Sequence, residues 1–223
     1  MLGSRVTLFG IPFSIYNGQQ LYQVSCDLLE EPALYTMFFV TGDQCRQIAE
    51  AKRLQKNMER ICWIPGDSAV QSIVPKRYRH LAEDCSIRQY ILKMCEYATD
   101  MGLDVCVLMD DEESLKTVFD NIRKVYPYLQ LHGWSFEKAK TSENIVNEIN
   151  SVAPEILILG VNSGELRHYV ERGRWMTNAR LCICVGEGLL DEMTKKKKWF
   201  HNITMSRTLK RHLRKYNKRE QKE

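Results

Sequence analysis

The segment Pro65-Gly66-Asp67 follows a short apolar run, Arg60 to Ile64, and so sets a carboxylate at the carboxyl end of a predicted strand. A carboxylate there can act as a general base, although a plain turn accounts for the same three residues. The acidic run Asp110-Asp111-Glu112-Glu113 also follows an apolar run. It reads either as a metal-diphosphate site or as acids that cap a helix start and complement its dipole, the commoner use of such a run. Gly186-Glu187-Gly188 begins like a dinucleotide fingerprint, but Glu187 would lie beside any phosphate bound there. Neither a full G-x-G-x-x-G nor a G-x-x-x-x-G-K-[ST] occurs, which disfavours a dinucleotide fold. His80, His132, His168, His201 and His212 lack metal-ligand spacing, and no serine has the G-x-S-x-G setting of a nucleophile elbow. Cys26, Cys45, Cys62, Cys85, Cys95, Cys106, Cys182 and Cys184 form no C-x-x-C pair, so a zinc site and a disulfide scaffold are not indicated and a reducing compartment is expected. Cys182 and Cys184 alternate in Leu181 to Val185, which puts both thiols on one strand face as small core side chains. No metal and no cofactor is expected.

The elements that position these residues follow from periodicity. Short apolar runs recur at Val6 to Phe9, Thr36 to Thr41, Arg60 to Ile64, Asp104 to Met109, Leu129 to Trp134, Glu155 to Gly160 and Arg180 to Val185. Helical patterns separate most of them. Ser86 and Gln89 form a capping box ahead of Ile87, Tyr90, Ile91, Met94, Cys95 and Ala98, and Gly102 ends that run. Leu115, Val118, Phe119, Ile122 and Val125 make a second apolar face. Ser142 caps a third, with Ile145, Val146 and Ile149, stopped before Pro154. Strand and helix in alternation predict an α/β fold, a mainly parallel, Rossmann-like sheet with helices on both faces. Ligands in such sheets bind beyond the carboxyl ends of the strands, here the loops after Thr41, Ile64, Met109, Gly160 and Val185.

The chain has 223 residues, 44% of them hydrophobic and 27% charged, and no apolar run approaches the length of a membrane span. Near the N-terminus Gly10, Pro12 and Asn17 interrupt the apolar stretch, which predicts a first strand rather than a leader. The net charge of +4 hides a division. Residues 195 to 223 carry twelve Lys or Arg against two Glu, a net of +10. The preceding residues carry the other 20 basic and 26 acidic side chains, a net of −6. A body domain of residues 1 to 194 and a basic helical C-terminal appendage of residues 195 to 223 are therefore expected, with a polyanionic partner for the appendage alone. Arg207, Lys210, Arg211, Arg214, Lys215, Lys218 and Lys222 recur at helical intervals, while Leu209, Leu213 and Tyr216 make a thin apolar edge and Trp199 and Phe200 precede it. About five such cations at roughly 1 kcal/mol each would hold an anionic membrane surface reversibly. A solvated, disordered basic tail is the other reading.

A set of segments in fixed order carries a family resemblance. They are Arg5-Val-Thr-Leu-Phe-Gly-Ile-Pro-Phe13, Phe38-Phe-Val-Thr-Gly42, Trp63-Ile-Pro-Gly-Asp67, Arg79 to Asp84, Val125-Tyr-Pro-Tyr-Leu129 with Gly133, Ile156-Leu-Ile-Leu-Gly160 with Glu165, and Ile183-Cys-Val-Gly186 with Lys198-Trp199. Over nearly the whole chain their order resembles the WecG/TagA/CpsF family of membrane-associated glycosyltransferases (glycosyltransferase family 26). The family has G-[IV]-x-[IF], VTVN, PDG, RVxGxD, RYPGL, DILLVGLGxPxQE, IGVG and RAPxW at these places. Several positions differ. PDG becomes Pro65-Gly66-Asp67, moving the carboxylate by one residue, and a GG pair becomes Met109-Asp110. PxQE becomes Asn162-Ser163-Gly164-Glu165, Leu190 takes the register of an aspartate with Asp191 beside it, and Lys195 to Lys198 replaces the proline and arginine of RAPxW.

The resemblance implies inverting transfer of N-acetylmannosamine or a related hexose from a nucleotide-diphosphate sugar to a lipid-diphosphate-linked acceptor. The reaction would take place at the cytoplasmic membrane face, in synthesis of a surface polysaccharide or wall polymer. Asp67 is then the candidate base, Thr41 orients the sugar, and Arg79 pairs with the diphosphate bidentately. Backbone amides after Gly160 and Gly186 would bind phosphate, and Asp84, Asn162 and Glu165 join the substrate site through the motifs they occupy. The partners implied are the donor, the acceptor, an anionic membrane surface at residues 195 to 223, and a second copy of the chain or another glycosyltransferase. A catalytically impaired family member acting as a regulator is the alternative. A nucleic-acid binder rests on the basic tail alone, in which Tyr216 is the sole aromatic residue beyond Phe200.

Overall fold

A computed structural model describes residues 4–50, 60–139, 142–162, 164, 168, 176–194 and 199–220. The chain opens with a hairpin of β1 (Ser4–Leu8) and β2 (Ile11–Ile15) and continues through α1 (Gly18–Leu29), β3 (Tyr35–Val40), α2 (Gly42–Glu50) and β4 (Ile61–Pro65). Three helices follow, α3 (Ser68–Gln71), α4 (Lys76–Glu83) and α5 (Ile87–Met101), then β5 (Val105–Met109), α6 (Glu112–Arg123) and β6 (Leu131–Ser135). The chain goes on through α7 (Phe136–Ala139), α8 (Ser142–Val152), β7 (Ile156–Gly160), β8 (Leu181–Cys184), α9 (Gly188–Thr194) and α10 (Trp199–Glu220).

The strands form one sheet in the order β1-β2-β4-β3-β8-β7-β5-β6, in which only the β1–β2 pair is antiparallel. Strands β5, β7 and β8 are buried along their whole length, as near-continuous apolar strands of a parallel sheet covered on both sides must be. One core lies under α2, α3, α4, α8 and α10 and contains Phe38, Trp63, Cys106, Leu157, Cys182 and Cys184. The opposite core, under α1, α5, α6 and α9, contains Met37, Ile64, Val107, Ile158, Leu181 and Ile183. Cys182 and Cys184 thus share one face, 3.6 Å apart at sulfur. All eight cysteines are free, and only Cys62 is not buried.

The expected α/β architecture is present, with local differences. The apolar stretch at the N-terminus is a hairpin rather than a single strand, because Phe9 (φ 54°) and Gly10 (φ 73°) both take the left-handed conformation of a tight two-residue turn. Phe9 carries a steric cost of about 1–2 kcal/mol there, and its buried ring meets Tyr216 edge-on with centroids 5.8 Å apart. Helix α5 begins at Ser86, whose side chain accepts from Gln89 N, and ends at Gly102 (φ 66°), matching its sequence limits. Helix α6 opens on the acidic run, as the capping reading of that run expects, with Asp111 as its N-cap and Glu112 and Glu113 in its first turn.

Candidate active site

Strands β4, β3, β8 and β7 are consecutive in the sheet, so the loops after Pro65, Val40, Cys184 and Gly160 leave the same carboxyl edge side by side. At the centre of that edge Thr41 and Gln44 open α2 with a reciprocal box. Thr41 N donates to Gln44 Oε1 at 3.0 Å, and Gln44 N faces Thr41 Oγ1 at 3.5 Å. On the next strand Asp67 caps α3. Its Oδ1 accepts from Val70 N and its Oδ2 from Gly42 N, both at 2.8 Å, so the carboxylate ties the start of one helix to the start of another. Burial pushes the Asp67 carboxyl above the usual carboxylate range, and the Gly42, Val70 and Ala69 N–H groups partly oppose the rise. A carboxylate with a raised pKa is a stronger base than an ordinary one.

Glycine rather than aspartate must follow Pro65. Gly66 N donates to Val40 O at 2.8 Å, and a Cβ at 66 would come within 2.7 Å of the Phe39 carbonyl carbon. The displaced carboxylate is therefore the first side chain available after the strand pair.

The other site residues spread along the edge. Arg79 is half-buried, and its Nη2 donates to Ser72 O (3.0 Å) and Val74 O (3.2 Å), while its buried Nε has no hydrogen-bond partner among the described residues. The guanidinium thus holds the α3–α4 turn. Asp84 is exposed at the end of α4, its carbonyl against Gly18 at the start of α1, which places it near the end of β2. Gly160 ends β7 with no room for a side chain, since a Cβ would strike Met109 Sδ and Leu189 Cδ2. Asn162 donates through its backbone N (3.2 Å) and Nδ2 (2.8 Å) to Asp110 Oδ1. Gly186 takes φ 75°, and its N–H already donates to Leu159 O at 3.0 Å. Glu165 and Lys195 to Lys198 lie outside the described residues. Within the acidic run, Asp111 caps α6 through Ser114 N (2.7 Å) and Oγ (2.8 Å), the capping role open to such a run.

Helix α10 overlies this edge. Leu209 is 2% exposed and belongs to the core, with Met205, Leu213 and Tyr216 packed beside it. A Cβ on Gly42 would come 2.5 Å from Met205 Cγ and 3.2 Å from Leu209 Cδ1, so the helix sits directly on the residue whose N–H holds Asp67. A boundary at residue 194 does not coincide with an edge of the hydrophobic core. Arg207, Lys210, Arg211, Arg214, Lys215 and Lys218 face away from the body, exposed, and no ion pair between described residues ties them to it. Lys222 lies outside the described residues. Sequence reasoning passed over Gly42, Gln44 and the Asp110–Asn162 pair. A T-x-x-Q box at Thr41 was available as a signal for the second of these, whereas the other two depend on contacts between strands.

A doubly wound α/β sheet holds its ligands beyond the carboxyl ends of its strands, and here the capped carboxylate and the polar loops gather at that edge. Residues 6–216 match the model of the glycosyl transferase WecG/TagA/CpsF family, and the chain belongs to that family. The matched span includes α10 as far as Tyr216. No curated protein matches the chain.

Proposed function

We propose that the chain is an inverting hexosyltransferase of surface polysaccharide or wall-polymer synthesis. It transfers N-acetylmannosamine or a related hexose from a nucleotide-diphosphate sugar to a lipid-diphosphate-linked acceptor. Asp67 removes the acceptor hydroxyl proton as that oxygen attacks the anomeric carbon and the nucleoside diphosphate leaves. Thr41, one strand over, orients the sugar, and positive groups stabilise the leaving diphosphate. The observation that carries this reading is the family match over residues 6–216 together with a half-buried carboxylate of raised pKa at the central carboxyl edge. The cationic face of α10 holds the protein to an anionic membrane surface at the cytoplasmic side, beside the same edge. Among the described residues no helix is long and apolar enough to cross a membrane.

One observation favours a second reading, a family member that regulates another transferase without catalysis. Both Asp67 oxygens are already engaged by backbone N–H groups, and the Gly186 amide is engaged by Leu159. Thermal unfolding of the full chain with a panel of UDP- and GDP-sugars tests the donor half. A rise in Tm with one donor and not with its free sugar supports transfer, and no rise with any donor favours the regulator.

A further inference from the structure

Between the neighbouring strands β5 and β7 the chain leaves the carboxyl edge in opposite directions, β5 outward to β6 and β7 inward to β8. Such a divergence opens the crevice in which doubly wound sheets hold ligands. Asp110 bridges it. Its Oδ1 takes both the backbone N–H and the Nδ2 of Asn162, at 3.2 and 2.8 Å, and its carbonyl accepts from Glu137 N at 3.0 Å. The segment after β7 thus holds the Asp110 carboxylate, and the start of α7 holds its backbone. Its Oδ2 takes no hydrogen bond among the described residues. The other acids of the run are placed differently. Asp111 closes on Ser114, Glu112 Oε1 accepts from Ser135 Oγ at 2.6 Å, and Glu113 lies exposed in the first turn of α6.

We propose that Asp110 reads the ribose of the donor nucleotide, its Oδ2 accepting hydrogen bonds from the ribose hydroxyls. The inference rests on the donor named under Proposed function and adds a specificity-determining residue to that site. A fixed negative charge repels a phosphate and attracts O–H donors, so the crevice between β5 and β7 suits a vicinal diol and leaves the diphosphate to other parts of the edge. Because Asn162 already holds the side chain, little rotamer freedom is lost when the diol binds.

Equilibrium binding of UDP and of 2′,3′-dideoxy-UDP to the full chain, by calorimetry, tests the proposal. Neither probe carries a hexose, so hydroxyls of the transferred sugar cannot account for a difference. The parent is expected to bind UDP about tenfold or more tightly than the dideoxy compound, the worth of a charge-assisted hydrogen bond. Asp110→Asn keeps an acceptor for Asn162, and it should bring the two affinities within about threefold of each other by weakening UDP alone. Asp110→Ala should do the same where its Tm shows it folded. A parent that binds both compounds equally, or an Asp110→Asn protein that keeps the parent's preference, overturns this inference and leaves the donor reading standing. A parent that binds neither UDP nor GDP overturns both, and one that binds only GDP is compared in the same way with 2′,3′-dideoxy-GDP.

Discussion

The Asp67 carboxylate holds the first N–H groups of two helices, so its loss acts on structure as well as chemistry. In Asp67→Asn the amide oxygen can accept from only one side, leaving either Gly42 or Val70 N–H facing an NH2 group. The variant should lose about 1–3 kcal/mol of stability and about 10²- to 10⁴-fold in turnover. Denaturant unfolding and a transfer assay check the two effects separately. The raised pKa also fixes a pH dependence. The folded chain binds this proton more tightly than the unfolded chain, so the contribution of Asp67 to stability is present at low pH and lost as pH rises through the folded pKa. For catalysis, the acid limb of kcat/KM should lie above the ordinary carboxylate value near about 4. A limb at or below that value places the base elsewhere. Asp67 was legible as a carboxylate at a strand end, because an apolar run stops before it. The reason it stands at 67 and not 66 was hidden, since the Gly66 contact with the Phe39 backbone belongs to the neighbouring strand.

At the scale of elements, most strands and helices were legible wherever the apolar period was unbroken, as in α5 with Ser86 and Gly102 at its ends. The β1–β2 hairpin was not, because its turn uses a phenylalanine at positive φ where sequence signals favour Asn-Gly or Asp-Gly. The role of the apolar edge of α10 was also hidden. Leu209, Leu213 and Tyr216 read equally well as a face for a membrane or for the body, and they lie against the body. Leu209→Ala should therefore cost about 2–5 kcal/mol, measurable by chemical unfolding, and truncation after Thr194 should lower Tm. No change in either would mean that α10 is a loose appendage. At the other end of the sheet, Asp111→Ala removes the cap of α6 and should cost about 0.5–2 kcal/mol.

Across the whole molecule, the acidic body and the basic C-terminal segment predict opposite responses to an anionic surface. With its apolar edge docked, α10 has exposed cations to offer such a surface. The attraction should fall as added salt shortens the Debye length from about 10 Å at 0.1 M to about 3 Å at 1 M. Truncation would confuse lost binding with lost stability, so the cleaner variant replaces Arg207, Lys210, Arg211, Arg214, Lys215 and Lys218 with glutamine and keeps the docked edge. The parent should co-sediment with vesicles containing phosphatidylglycerol and release at high salt, and the glutamine variant should stay in solution. Equal sedimentation of the two would remove α10 from membrane contact, and tighter binding to nucleic acid than to vesicles at the same salt would favour a nucleic-acid partner. Transfer itself is tested most directly with a labelled UDP-N-acetylmannosamine donor and a lipid-diphosphate-linked saccharide presented in the same vesicles. Label should move to the lipid with the parent chain and fall at least about a hundredfold with Asp67→Asn. Equal transfer by both proteins would contradict Asp67 as the base, and no transfer by the parent with any nucleotide sugar would contradict the enzyme and leave the regulator.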